Sequence, residues 1–271
     1  MNPLSEWVKA GRPNLDDDRW LLRSVAWFPI VFVALLLCMR AVKPGLYAYL
    51  GREDGFLEWG GALAFGAAGG FAFRLATRLW RDRRSVLAAL YGVLAVGMLV
   101  MMMEEISWGQ RILNLENPEF FREHSTKEEI NIHNLQEFPL GPAFITVGFY
   151  GAFSRWLVPG SVRRRFPSEA KLLTPRFAIA TCFLPTFAFY TYWEYWYYTV
   201  VRPLGITIRR SYPWEGGFIT GKEQEIVEFL LAMGFLIFVF NNWQRYKARS
   251  AVAATAEQMP KFREVDRQAP E

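Results

Sequence analysis

Long apolar runs alternate with short polar segments along the chain. A bilayer crossing needs about 19 to 20 predominantly apolar residues, and windows of that length identify six candidate spans. They cover residues 24–39, 56–80, 85–103, 142–158, 176–200 and 226–243. The pattern predicts an all-α protein, a polytopic transmembrane bundle of about six helices.

The remaining segments divide the chain into three parts. Residues 1–23 are polar and form an N-terminal lead, and residues 24–246 form the six-span membrane domain. Within that domain the long loop 105–141 is predicted to cover one mouth of the bundle. Residues 247–271 contain few large apolar side chains, so we expect a disordered tail.

Charge is distributed unevenly between the two sides of the predicted bundle. Basic residues cluster at residues 78–84, 163–165 and 245–249, whereas loop 105–141 is mainly acidic. The positive-inside rule then predicts that both termini are cytoplasmic and that this loop lies outside. Arg40 and Arg209 oppose the trend. Because span ends and anionic lipids account for the net charge of +5, we expect membrane lipids as partners and no nucleic acid.

One polar motif interrupts this apolar pattern. The third run ends in Glu104-Glu105-Ile106-Ser107-Trp108-Gly109-Gln110-Arg111, and Asn131-Ile132-His133-Asn134 follows in the loop. Charged groups in or beside a membrane span are costly and are therefore candidates for a functional site.

Counting along the helices places several carboxylates at a common depth. At 1.5 Å per residue, Glu58, Glu104, Glu194 and Glu228 each lie roughly 26–30 Å from the basic anchor of their own span. Four helices thus bring a carboxylate to one layer near the outer edge of the membrane. These groups could also be ordinary polar helix ends; for Glu104 the partner is either Arg111 or a bound metal or substrate.

The residue types suggest roles within this layer. Crowded carboxylates suit shared acid–base work or oxygen ligation of Mg²⁺, Mn²⁺ or Ca²⁺, and a histidine would allow Zn²⁺. The cofactor expected here is a divalent cation, or none. Candidate catalytic residues are Glu104, Glu105, His133, Glu58 and Glu228; candidate substrate-binding residues are Arg111, Gln110, Asn134, Trp108 and Glu194; candidate metal ligands are Glu104, Glu228 and His133.

The same residues resemble a family of bacterial polytopic membrane proteins that carries a Glu-Glu-Ile-Ser-Trp-Gly-Gln-Arg…Asn-x-His-Asn motif. The resembling segments also include residues 53–59, Glu225 and Glu228. The resemblance implies one shared site but names no reaction. In a bacterial protein of this kind we expect the inner membrane, and the orientation given by the positive-inside rule places the site on the periplasmic side.

Three functions fit these observations. The leading hypothesis is a membrane-embedded enzyme that acts at the outer leaflet on a lipid or lipid-linked substrate. A cation- or proton-coupled transporter is the first alternative. The second is a non-catalytic subunit of a larger assembly, with a protein partner or a second copy of the chain. Glycine-rich phosphate loops and CxxC pairs are missing, which weakens nucleotide and redox functions.

Overall fold

The computed structural model describes residues 19–51, 55–124, 130–132, 140–201, 203–205 and 223–265. The side chains of residues 19–22, 111, 140, 194, 197, 198, 201 and 249–265 lie outside that description. The described backbone is helical apart from short turns and connecting segments, which confirms the predicted all-α class.

Eleven α-helices are named here in chain order within the described residues. They are α1 (Arg19–Val42), α2 (Pro44–Leu50), α3 (Phe56–Arg81), α4 (Ser85–Glu105), α5 (Gln110–Leu113), α6 (Glu119–His124), α7 (Leu140–Leu157), α8 (Gly160–Arg165), α9 (Pro167–Leu173), α10 (Phe177–Thr191) and α11 (Gln224–Val265). A 3₁₀ turn, Ser107–Gly109, joins α4 to α5, and a π-helix, Tyr192–Val201, continues α10.

Four segments are long and apolar enough to cross a membrane. They are Arg23–Val42, Ser85–Glu105, Pro167–Thr191 and Gln224–Ala248. Helices also occupy the other two predicted span positions, α3 and α7. Because α3 is rich in Gly and Ala and carries several arginines, its hydropathy is lower than that of its neighbours. The membrane class is thus supported, and the count of six spans stays a prediction.

The bundle is built around α3, α10 and α11. Helix α3 packs against α4 and α11, and α10 packs against α7, α11 and α1. Phe65, Leu79 and Phe183 are among the fully buried side chains of this core. Gly151 of α7 is required for the packing, because a Cβ there would lie 2.2 Å from the Phe183 ring.

The outward helix faces are apolar. Leu63 on α3 and Val86 and Val93 on α4 are 72–73% exposed. Such a surface is unfavourable in water and favourable against lipid tails. The apolar outer faces and the length of the apolar helices therefore both indicate a membrane protein.

Ion pairs and hydrogen bonds join the helices at both ends of the bundle. At one end Arg40 Nη1 donates to Glu223 Oε1 at 2.6 Å, and both side chains are only 12% exposed. This pair accounts for the position of Arg40, which opposes the positive-inside trend. At the other end Arg84 pairs with Glu169, and the Tyr246 hydroxyl donates to Asp82.

Helix α11 is longer than the sequence pattern predicts. It continues to Val265, through most of the segment for which we expect disorder. Residues 248–257 contain five alanines with Arg, Glu and other helix formers, and Ala has the highest helix propensity. Because this segment has a high helix propensity, α11 can continue beyond its apolar part, which explains why the helix is longer than predicted.

Candidate functional site

A left-handed turn ends α4 at the polar motif that begins with Glu104. Ser107, Trp108 and Gly109 have φ values of 47°, 53° and 77°. Successive left-handed residues are unfavourable for L-amino acids other than glycine, and such conformations concentrate at functional sites. The Gly109 N–H donates to the Ile106 carbonyl at 2.8 Å, which closes the turn and starts α5 in a new direction.

Glu104 anchors a loop segment against this turn. Its Oε1 accepts a 2.6 Å hydrogen bond from Trp108 Nε1, and its Oε2 accepts one of 2.8 Å from the Ile132 N–H. Buried Asn131 donates from Nδ2 to the Glu104 carbonyl at 3.0 Å. Gln110 Oε1 accepts from the Ile130 N–H at 2.7 Å. The motif therefore holds residues 130–132 over the end of α4.

Glu105, the next residue, belongs to a different group of side chains. Its carboxylate lies with those of Glu225 and Glu228, and one oxygen of each lies within 4.8 Å of the other two. Glu105 and Glu228 are 8% and 6% exposed, and Glu225 is half-buried. The described residues thus form a three-carboxylate cluster between α4 and the first two turns of α11.

Polar partners orient Glu228 within the cluster. The Tyr190 hydroxyl donates to Glu228 Oε1 at 2.5 Å, and Gln224 Nε2 donates to the same oxygen at 2.9 Å. The Tyr190 ring stacks on Phe144 of α7 at 4.5 Å between ring centroids. Helices α7, α10 and α11 together therefore fix one oxygen of Glu228.

Small residues on α3 provide the space for Glu105. A Cβ at Gly61 would lie 3.9 Å from the Glu105 carboxyl group, and a Cβ at Gly60 would lie 2.9 Å from Phe229. Glu58 precedes Gly61 by three residues and shares its helix face, so it lies about one turn from the level of Glu105.

The predicted site residues divide into three sets. Glu105 and Glu228 lie in the cluster, with Glu58 on the neighbouring helix face. Glu104, Trp108 and Gln110 form the hydrogen-bonded turn beside it. His133 and Asn134 lie outside the described residues, as do the side chains of Arg111 and Glu194.

The sequence argument did not assign Tyr190 or Gln224 to the site, and it included Glu225 only through the family resemblance. Glu225 was detectable, because it precedes Glu228 by three residues and shares its face. Tyr190 belongs to an aromatic run that resembles an interfacial belt, so nothing in the sequence distinguishes it from its neighbours. Glu104, a predicted metal ligand, accepts hydrogen bonds from Trp108 and Ile132.

The cluster has a limited set of chemical options. Three close carboxylates with little solvent repel one another, so they are stabilised by a retained proton, a bound cation or a neighbouring cationic side chain. Oxygen ligands at about 2.4 Å from one Ca²⁺ lie at most about 4.8 Å apart, and one oxygen of each of these three carboxylates lies within that distance of the other two. A divalent cation or a shared proton thus fits the cluster.

Comparisons with known proteins add no assignment. No protein family, curated protein or solved structure matches the chain. The family resemblance therefore stays a prediction based on its motif, and the function is inferred from the residues of the site.

Proposed function

We propose that the protein is a membrane-embedded enzyme that acts on a lipid or lipid-linked substrate at the carboxylate end of the bundle. Glu105, Glu225 and Glu228 would hold a divalent cation there. The single observation that carries the proposal is the clustering of these three carboxylates, two of them buried, on helices that are apolar enough to lie in a membrane.

The surroundings of Glu228 support a cation site. Tyr190 and Gln224 both donate to Oε1, which directs Oε2 to an ion. Such hydrogen bonds to a ligand carboxylate commonly set its orientation and its affinity for metal. An all-oxygen set favours Mg²⁺, Mn²⁺ or Ca²⁺, and the ion would act as a Lewis acid on a substrate phosphate or carbonyl.

The loop gives the proposed enzyme a proton-transfer group. Residues 130–132 dock on Glu104 and Gln110, and His133 is the next residue in the chain. A histidine with a near-neutral pKa suits general acid–base catalysis. We assign that role to His133, and we assign Glu104 the role of holding its loop. Glu58, Arg111, Asn134 and Glu194 remain candidates for substrate contacts.

The proposed orientation has six spans, with both termini in the cytoplasm and the carboxylate end facing the periplasm of an inner membrane. The basic residues at the other end of the bundle from Glu105 support this orientation, because basic residues are retained on the cytoplasmic side. They include Arg84, Arg155, Arg163 and Arg245. The active site would then meet substrates in the outer leaflet.

Transport is less well supported. No Asp or Glu occurs in residues 85–103, 170–193 or 229–256, so the chain lacks a series of carboxylates along these spans. A cation or proton pathway across the membrane would be expected to contain such groups.

Cation binding and lipid turnover test the proposal together. The purified protein should bind about one Mn²⁺ by electron paramagnetic resonance, and Glu105→Gln and Glu228→Gln should weaken that binding at least about tenfold. Incubation with a bacterial lipid extract should convert one lipid class, detected by mass spectrometry, and EDTA should stop the conversion.

The matched control is Glu116→Gln, which changes an exposed carboxylate outside the cluster. It should bind Mn²⁺ and convert lipid as the wild type does. Equal Mn²⁺ binding by the wild type and Glu105→Gln would contradict the cation site. Ion flux into reconstituted vesicles, without any lipid conversion, would contradict the enzymatic function and support a transporter.

A further inference from the structure

A basic pocket lies at the end of the bundle opposite to the carboxylate cluster. It has a volume of about 240 Å³ and is lined by segments from α7 to the start of α10, together with α11. Among the described residues that line it, none is acidic and five are cationic. The cationic ones are Arg155, Arg163, Lys171, Arg176 and Arg245. Glu169, the acidic residue of α9, pairs with Arg84 outside this lining. The pocket therefore carries a concentrated positive charge.

A larger apolar cavity lies beside it, between α4 and α7. Its volume is about 530 Å³, and its lining includes Leu90, Leu94, Tyr150, Phe183 and Phe235. Leu90 and Tyr150 are 48% and 47% exposed, whereas Phe183 is 1% exposed. The cavity thus opens on the outer surface of the bundle and ends at the buried Phe183 ring.

The hydroxyl groups that line this cavity are turned to backbone carbonyls. Tyr91 donates to the Leu172 carbonyl at 2.6 Å, Tyr150 to the Leu173 carbonyl at 3.0 Å, and Thr146 to the Pro142 carbonyl at 2.8 Å. Because each hydroxyl is occupied in this way, the surface left for a ligand is apolar. Such a surface suits hydrocarbon.

The basic pocket and the apolar cavity are neighbours. Pro175, between α9 and α10, lines both of them, and α9 contributes Ala170 and Lys171 to the first and Leu172 and Leu173 to the second. One ligand that has an anionic group next to a hydrocarbon chain would fill both. Neither a free anion nor an uncharged hydrocarbon would do so.

We propose that this double cavity binds an anionic phospholipid, with its phosphate in the basic pocket and one acyl chain between α4 and α7. The charge of the pocket selects an anionic headgroup over a zwitterionic one, because juxtamembrane Lys and Arg residues attract anionic lipids. The site is separate from the carboxylate cluster and does not depend on the proposed enzymatic activity.

Lipid selectivity of the wild-type protein is the first test. The full chain in detergent is offered equal amounts of phosphatidylglycerol and phosphatidylcholine with identical acyl chains, and the retained lipid is measured by native mass spectrometry. We expect at least about tenfold more phosphatidylglycerol to remain bound. Equal retention of the two lipids would overturn the proposal without the need for any variant.

Two pairs of variants localise the binding. Arg155→Gln with Arg163→Gln should lower phosphatidylglycerol retention by about thirtyfold, at roughly 1 kcal/mol for each basic residue. The matched double variant, Arg81→Gln with Arg83→Gln, removes two exposed arginines outside the pocket and should retain the lipid. Equal losses in both double variants would assign the effect to general surface charge and overturn the site.

Binding of the acyl chain in the apolar cavity is tested separately. Leu90→Trp partly fills the apolar cavity and should lower retention about tenfold, while Val93→Trp, on the 73% exposed outer face of the same helix, should not. Glycerol phosphate and inorganic phosphate, which have no acyl chain, should fail to displace the lipid at millimolar concentration. Displacement by either compound would show that the pocket binds a free anion instead.

Discussion

The Tyr190 hydroxyl donates a 2.5 Å hydrogen bond to Glu228 Oε1, which joins the end of α10 to the first turns of α11. Tyr190 is 6% exposed and stacks on Phe144, so its ring has little freedom to move. The contact fixes one carboxylate of the cluster in a position that only packing across three helices can define.

Removal of this hydroxyl should weaken both the cation site and the fold. We expect Tyr190→Phe to lower Mn²⁺ affinity by about 10–100-fold, the usual effect of losing a partner of a metal ligand. A hydrogen bond to a charged group contributes about 1.5–3 kcal/mol to stability, so the melting temperature should also fall. Titration of Mn²⁺ measures the first effect. Tyr195→Phe, an exposed tyrosine, should change neither quantity.

Gly61 should tolerate one methyl group and no more. Its Cβ position is 3.9 Å from the Glu105 carboxyl group, which is ordinary van der Waals contact, so Gly61→Ala should fold and should bind Mn²⁺ as the wild type does. Gly61→Leu should displace Glu105 and weaken Mn²⁺ binding at least about tenfold. Gly70→Leu, where nothing lies within 4 Å, is the control; loss of binding in both leucine variants would contradict this steric explanation.

The left-handed turn predicts a stability effect at Gly109. Gly109→Ala places a Cβ at φ 77°, which costs about 1–2 kcal/mol for an L-residue, and thermal unfolding should report that loss. Hydrogen exchange at residues 130–132 should become faster, because the turn supports their docking. Gly97→Ala, in the interior of α4 with no atoms within 4 Å, should be neutral or stabilising. Unchanged exchange in Gly109→Ala would show that the docking is independent of the turn.

Arg40 and Glu223 should be energetically coupled. Each side chain is 12% exposed, and removing one partner of a poorly solvated pair leaves the other charge uncompensated. A double-mutant cycle with Arg40→Met and Glu223→Gln should therefore give a coupling energy of about 0.5–3 kcal/mol from thermal unfolding. Additive effects of the two substitutions would mean that the pair contributes nothing to stability.

The sequence was sufficient to locate the long apolar helices and the motif, but not to choose between adjacent carboxylates. Glu104 and Glu105 differ by about 100° around a helix, so the rotation of α4 decides which one faces α11. The interior of α4 is apolar on every face, and its pattern therefore carries little information about that rotation. The rotation is instead set by contacts such as that of Met102 with Gly66.

The partners of Glu228 were unpredictable for a different reason. Tyr190 approaches Glu228 from 38 positions away, through the packing of α10 on α11. Local spacing predicts neighbours on one helix, as for Glu225, and has no access to such a contact. Position along a helix axis could be counted from the sequence, whereas the position of a side chain around the bundle depended on helix packing.

Helix α11 is fastened to other helices near both ends of its membrane segment. Glu223, just before its first residue, pairs with Arg40 of α1, and Tyr246 donates to Asp82 at the end of α3. Sliding α11 by one turn would break both attachments and separate Glu228 from Tyr190. The cluster therefore behaves as part of a fixed frame. Movement of α11 along its axis is opposed at both ends, so the spacing of Glu105 and Glu228 depends on two contacts that lie outside the cluster.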